Sequence, residues 1–358
     1  MNTGKGLRFL KLIGLFVVTA ALLAGGFWFL KTYQESKILL TLVAIVWGVV
    51  SVALLYFILN EAAEILPQKG KTLVLPLVFA GPAVFLLFWY LVLPTLRTLW
   101  LSFFDMTGTQ FLGLGNYMNA FTDGIILESL GNNLLWVVFG TAGSVGLGLL
   151  IAVLADRSRW ESVFKALIFL PMAISFVGAG VIWKFIYAYK GGGTNVVEIG
   201  LLNAIVTSFG GESQAWLQFP FWNNFFLIII MVWLQTGYAM VILSSAIKGI
   251  PSELLEAARV DGANEFQVFY KVIIPYIYGT LLTVATTVVI FSLKLFDIVR
   301  VMTGGNFGTN VIANEFYLRQ FSQGRTGEAS AIAIILLIAV VPVLIYNLKQ
   351  FGERKAFK

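Results

Sequence analysis

Eight stretches of this chain run for 19–25 residues almost without charge, near 12–30, 38–59, 72–96, 134–155, 166–187, 225–247, 276–296 and 329–348. A helix of that length crosses the roughly 30 Å of a bilayer's hydrocarbon. Continuous apolar runs leave no polar face for a surface helix, and a barrel strand would alternate with period 2. Within lipid every backbone group must also be satisfied internally, which such segments achieve only as helices. The expected fold class is therefore all-α, a polytopic membrane helix bundle of about eight transmembrane helices. Composition agrees: 59% of residues are hydrophobic and 12% charged, against about 45–50% and about 25% in soluble domains.

The first segment follows Lys5, Arg8 and Lys11 and so superficially resembles a signal peptide. Its apolar run exceeds the roughly 7–15 residues of a signal core, and Ala24-Gly25-Gly26 leads into Phe27-Trp28-Phe29, so it reads as a retained span. Lys and Arg in the connections set orientation. With the N-terminus cytoplasmic, the inner segments hold 15 basic residues and the longer outer ones 7, with Lys184 and Lys294 left out because they lie within spans. Both termini are expected inside. The net charge of +6 then reflects topology, and no nucleic-acid partner is expected. The outer connections are rich in aromatic, Gly and Asn residues, as in 111–117 and 214–222, and suit interfacial packing. In the fourth span Ala142/Gly146 and Gly148/Ala152 repeat at the spacing that brings helices close.

Absent chemistry narrows the function. With no Cys or His, disulfides, Cys- or His-ligated metals and histidine catalysis are excluded. None of the spans has an interior Asp or Glu and no inverted repeat is evident, which argues against the alternative of an ion-coupled secondary transporter. No paired intramembrane carboxylates suggest an enzyme, and no P-loop pattern is present.

Between the sixth and seventh spans, residues 248–275 form a polar interruption on the inner side. Pro251 and Ser252 are helix-start residues, and Glu253 and Glu256 complement the positive end of the helix dipole. Gly262 should stop this helix after about two and a half turns, with Asp261 capping a second short helix over 264–273 that ends at Pro275. Taken alone, this helix-turn-helix is either a structural loop or a docking knob for a cytoplasmic partner.

The run Glu256-Ala257-Ala258, then Asp261-Gly262-Ala263, Phe269 and Ile274-Pro275 resembles the EAA signature of ABC importer permeases. Where that family often has a second proline, this sequence has Tyr278. The resemblance implies that Glu256, Ala257, Ala258, Asp261, Gly262 and Ala263 couple to an ATPase. It covers 72–358, an expected six-helix type I importer core, and leaves 1–71 as an N-terminal extension with two transmembrane helices. Phe111–Tyr117, Phe169-Leu170-Pro171, Gly200–Asn203 and Phe296-Asp297 followed by Thr303-Gly304-Gly305 resemble the carbohydrate, maltose-type branch. The stretch 303–315 looks most like α-glucoside permeases.

That resemblance places Leu234, Gln235, Tyr238, Phe291, Ser292 and Leu295 at or near the sugar path. Gln235 stands where a glycine occurs in the family and Leu295 where an amide does, so the cavity chemistry must differ. Gln235 and Tyr238, three apart on a helix, share a face. Lys294 is expected to snorkel outward or to pair with Asp297. The implied role is half of a sugar path in an ATP-driven importer. The implied partners are a cytoplasmic ATPase dimer, a second permease forming a homologous heterodimer, an extracytoplasmic sugar-binding protein and the bilayer. No metal site or catalytic residue is expected, and no cofactor on this chain, ATP–Mg belonging to the partner ATPase.

Overall fold

The computed structural model describes residues 3–33, 36–156, 159–190 and 200–356. Arg157 and Lys358, two of the inner basic residues, lie outside them. The described residues are helical apart from connections and one isolated bridge between Phe104 and Phe111. The chain divides into two compact units, 1–96 and 97–358.

In the first unit α1 (Thr3–Thr32) and α2 (Lys37–Ile65) run antiparallel. Trp47 Nε1 donates to Leu22 O at 3.1 Å, and its indole lies where a side chain on Gly26 would be, 2.0 Å from a Cβ placed there. Near the other end Lys11 pairs with Glu61 at 3.4 Å. α3 (Gln68–Leu87) packs on α2 through an edge contact of Tyr56 with Phe79, 5.3 Å between centroids. Most other apolar side chains here face outward, as lipid-facing helices require.

α3 passes through a π-turn, Phe88–Val92, into α4 (Leu93–Leu101), so the third span is one helical run, 70–101. Pro94 lies just past that turn. The same device precedes Pro275: α13 (Glu265–Val268) continues through the π-turn Phe269–Ile273 into α14 (Ile274–Leu293). Proline lacks an N–H and clashes with the carbonyl four residues back. Here those residues are Tyr90 and Lys271, both inside the π-turns, where the widened helix relieves the clash. This corrects the expectation that the cytoplasmic helix ends at Pro275 and a separate span begins at Tyr276. The seventh span is a continuous helix, Glu265–Leu293, ending three residues short of Phe296.

The second unit continues with α5 (Gly115–Ala120), α6 (Gly124–Leu135) and α7 (Thr141–Asp156), the last two joined by the π-turn Trp136–Gly140. Next come α8 (Glu161–Phe169), α9 (Phe176–Ile186), α10 (Leu201–Ser208) and α11 (Trp222–Lys248). α12 (Ser252–Val260) precedes α13, and α15 (Asp297–Met302), α16 (Ile312–Tyr317) and α17 (Thr326–Ala356) follow α14.

The fifth span, expected as one helix over 166–187, is broken. α8 ends in the 3-10 turn Leu170–Ala173, Ile174 is extended, and α9 leaves at 101°. Pro171 withholds one backbone donor at the end of α8, and Ser175 Oγ accepts from Gly178 N at 3.1 Å to start α9.

α11 is the central helix, with Leu227, Ile230, Met231, Ala239, Met240 and Leu243 all fully buried. It runs parallel to the continuous run of α6, the π-turn and α7, as four contact levels show. Asn224 meets Asn132 (3.2 Å). A Cβ placed on Gly140 would lie 3.0 Å from Met231 Sδ, on Gly143 2.8 Å from Val232 Cγ2, and on Gly148 2.6 Å from Ala239 Cβ. Two parallel spans need an odd number of crossings between them, so the bent α8–α9 pair counts as one span and the total among the described residues is eight. The close approach uses Gly140, Gly143 and Gly148. Ala142 and Gly146, expected to share in it, face outward, and nothing lies within 4 Å of a Cβ on Gly146.

Candidate translocation path and coupling helix

The break in the fifth span opens space beside α11. A cavity of about 250 Å³ is lined by Met172, Ile174 and Phe176 at the break, Leu234, Gln235 and Tyr238 from α11, and Thr287, Val288 and Phe291 from α14. The rings of Phe176 and Phe291 meet at 4.7 Å and 33°. No charged side chain lines it; its polar side chains are Gln235, Tyr238 and Thr287. At Gly237 α8 passes so close to α11 that a Cβ there would fall 2.7 Å from Ile168 O.

Four of the six residues expected at the sugar path, Leu234, Gln235, Tyr238 and Phe291, thus meet in one cavity. Ser292 and Leu295 do not reach its lining. Ser292 is fully buried, its hydroxyl donating to Val288 O (2.9 Å) with Met231 Sδ at 3.6 Å, and Leu295 is in the core. Lys294 is exposed and caps the end of α14, with no ion pair to Asp297. Met172, Ile174 and Phe176 carry no signal in an unbroken apolar run, whereas Thr287 could have been found from its spacing with Phe291 on one helix face.

On the side of Lys248, α12 stands out from the bundle. Leu255, Ala258 and Ala263 pack inward against the core, while Glu256, Ala257, Asp261 and Gly262 are exposed. Gly262 has φ +83° with open space around it, the left-handed stop expected after the helix. Asp261 does not cap the next helix. That cap is Asn264, whose side chain accepts from Gln267 N while Gln267 returns a bond to Asn264 N, both at 2.9 Å. Arg259 pairs with Glu265 at 3.0 Å across the turn, and Tyr276 Oη donates to Gly249 O at 3.3 Å. Val260 (86% exposed) and Phe266 (70%) present apolar surface beside the acidic Glu256 and Asp261. Glu161 at the start of α8 pairs with Lys165 and with Lys248 (2.7 Å), and Lys165 also reaches Ser244, tying the broken span to the stem of α12.

The opposite end holds a buried polar network. Arg319, in the π-turn Leu318–Ser322 after α16, pairs with Asp123 (2.5 Å), Glu315 (2.7 Å) and Glu328. Burial pushes the Asp123 carboxyl up, but Arg319 and the amides of Ile125 and Ile126 prevail and hold it below the ordinary value. Glu315 Oε2 accepts from Asn310 Nδ2 (2.7 Å), and Asn133 Oδ1 accepts from Ile312 N (2.8 Å).

Residues 144–358 match the family described as "binding-protein-dependent transport system inner membrane component". The chain is 56% identical over 280 residues to the osmoprotective compounds uptake permease protein GgtC of Synechocystis sp., covering 78% of this chain and all of that one. It is 46% identical over 331 residues to the alpha-glucoside transport system permease protein AglF of Rhizobium meliloti, covering 88% and 97%. In fold it is similar to a chain of a bacterial alginate ABC transporter solved with an alginate pentasaccharide-bound periplasmic protein. There the TM-score is 0.68, with 18% identity over 78% of this chain and 94% of that one. The chain therefore belongs to the inner-membrane components of binding-protein-dependent transport systems, the multi-pass permease subunits of ABC importers whose ATPase is a separate subunit.

Proposed function

We propose that this permease conducts an uncharged sugar or small glycoside, an α-glucoside being the best-supported class. The observation that carries this reading is the cavity: three hydrogen-bonding side chains, Gln235, Tyr238 and Thr287, set among Phe176, Phe291 and aliphatic groups, with no charge. Hydroxyls need hydrogen-bond partners, C–H faces suit aromatic rings, and an ionised cargo would find no counter-ion there. The names of the relatives, an alpha-glucoside permease and an osmoprotective-compound permease, support it. The chain forms half of the path beside a second, homologous permease, with 72–358 as the core and 1–71 as an extension. In the same reading both termini are cytoplasmic, α12 seats in the ATPase through Glu256, Ala257, Asp261 and Gly262, and the Arg319 network faces the binding protein's side.

Truncating Tyr238 tests the path. One lost hydrogen bond is worth about 0.5–1.5 kcal/mol, so Tyr238→Ala should lower uptake of a labelled α-glucoside several-fold or change the preference among sugars, while the ATPase stays bound. Failure of the complex to assemble would make Tyr238 a packing residue, and unchanged uptake of every sugar would put the path elsewhere.

A further inference from the structure

Among the described residues only two other than glycine adopt the left-handed backbone region, Phe221 (φ 69°) and Phe307 (φ 60°). Both lie at the end of the bundle away from α12, and one side chain joins them. Asn223, two residues beyond Phe221, donates from Nδ2 to Phe307 O at 2.6 Å. The next carbonyl, of Gly308, accepts from Asn132 (2.9 Å) and Asn224 (3.2 Å). Three buried asparagines on two helices thus fix one short turn. Inside it, the Thr303 and Thr309 hydroxyls are 2.6 Å apart and Asn306 Nδ2 donates to Thr303 O at 2.8 Å. Gly304, Gly305 and Gly308 take the other positive-φ positions, so a fourth glycine would be the relaxed choice at 307. A phenylalanine stands there instead, 55% exposed, and Phe221 is 60% exposed.

Strain held in place by surrounding structure marks sites that act. Two rigid, exposed rings on a fixed backbone are the kind of anchor that a protein partner's pocket accepts with little loss of freedom. Headgroup anchoring needs no such backbone. Trp28 and Trp100, more than 60% exposed, sit on regular helices within spans. The family's dependence on a soluble binding protein supplies the occupant. We propose that Phe307 and Phe221 are the aromatic anchors on which that binding protein docks. The proposal rests on the reading that this end is extracytoplasmic.

The test uses the full complex of both permeases and ATPase in nanodiscs, titrated with its purified binding protein while stimulated ATP hydrolysis is followed. Phe307→Gly removes the ring and relaxes the backbone, so the fold is not weakened. The half-saturating binding-protein concentration should rise on the order of 30-fold, with the unfolding temperature no lower than in the parent. Phe221→Gly should act in the same direction, and Phe307→Trp should retain docking. An unchanged half-saturation in both glycine variants overturns the proposal. Loss of the second permease from the complex overturns it too, making the rings subunit contacts, as does poor membrane insertion with unchanged affinity, making them headgroup anchors. Because the chain has no cysteine, Asn306→Cys reports the side of the membrane through an impermeant maleimide applied to intact cells. No labelling refutes the orientation, and the proposal with it; labelling with unchanged half-saturation refutes the docking role alone.

Discussion

The guanidinium of Arg319 meets Asp123, Glu315 and Glu328 although only 5% of the residue is exposed. Removing one partner of a buried charge set leaves the others uncompensated, typically at about 3–5 kcal/mol. Arg319→Met should therefore lower the thermal unfolding temperature markedly in detergent, whereas Arg325→Met, 40% exposed in its side chain, should change it little. Equal, small shifts would mean that the network does not hold the loop after α15. Glu315 and Arg319 have the local i,i+4 spacing of a helix pair, but nothing local announces the rest of the cluster: Asp123 and Arg319 are 196 residues apart, and Asn132 reaches Gly308 across 176. The pairing α11 residues were legible, because Gln235 and Tyr238 fall on one helix face. Ser292 and Leu295 came by resemblance alone, and their burial away from the cavity depends on how far α14 rotates against Met231, which spacing does not encode.

At the scale of elements, long apolar runs made the spans visible and left their interruptions hidden. The sequence 166–187 is apolar apart from Ser175 and Lys184, and only Pro171 and Ser175 hint that the helix stops and restarts at 101°. The π-turns before Pro94 and Pro275 are hidden for a related reason, since a proline reads as a break until the helix is seen to widen around it. α12 was legible from start to stop because Pro251, Ser252 and Gly262 are local signals; the cap passed from Asp261 to Asn264 because the Asn264–Gln267 pair forms the capping box. The proposed coupling role of α12 is open to direct test. Gly262 and Glu256 touch little within the chain, so Gly262→Asp or Glu256→Lys should insert normally and lose uptake through failure to seat in the ATPase. Aspartate is among the residues that best tolerate positive φ, which limits the strain at 262. Uptake at the parent rate in both variants, with the complex assembled, would remove α12 from coupling.

Across the whole molecule, the parallel run of α6–α7 and α11 agrees with eight crossings, and the expectation that the connections with 15 basic residues, against 7 in the others, are the cytoplasmic ones is open to test. Reporters active only in the cytoplasm should work when fused after Lys71, Arg159 or Lys358 and stay silent near Asp123, Gly210 or Asn310. Activity at Gly210 would overturn the arrangement of the last three spans. In the proposed function this chain moves a neutral sugar at the expense of ATP hydrolysed by a partner. That function is tested most directly in proteoliposomes holding this permease, its partner permease and the ATPase, with the binding protein and a labelled α-glucoside on one side and ATP on the other. Uptake should require hydrolysable ATP and binding protein, persist when proton and sodium gradients are collapsed, and be lost with Gly262→Asp. Uptake driven by an imposed ion gradient without ATP would contradict it.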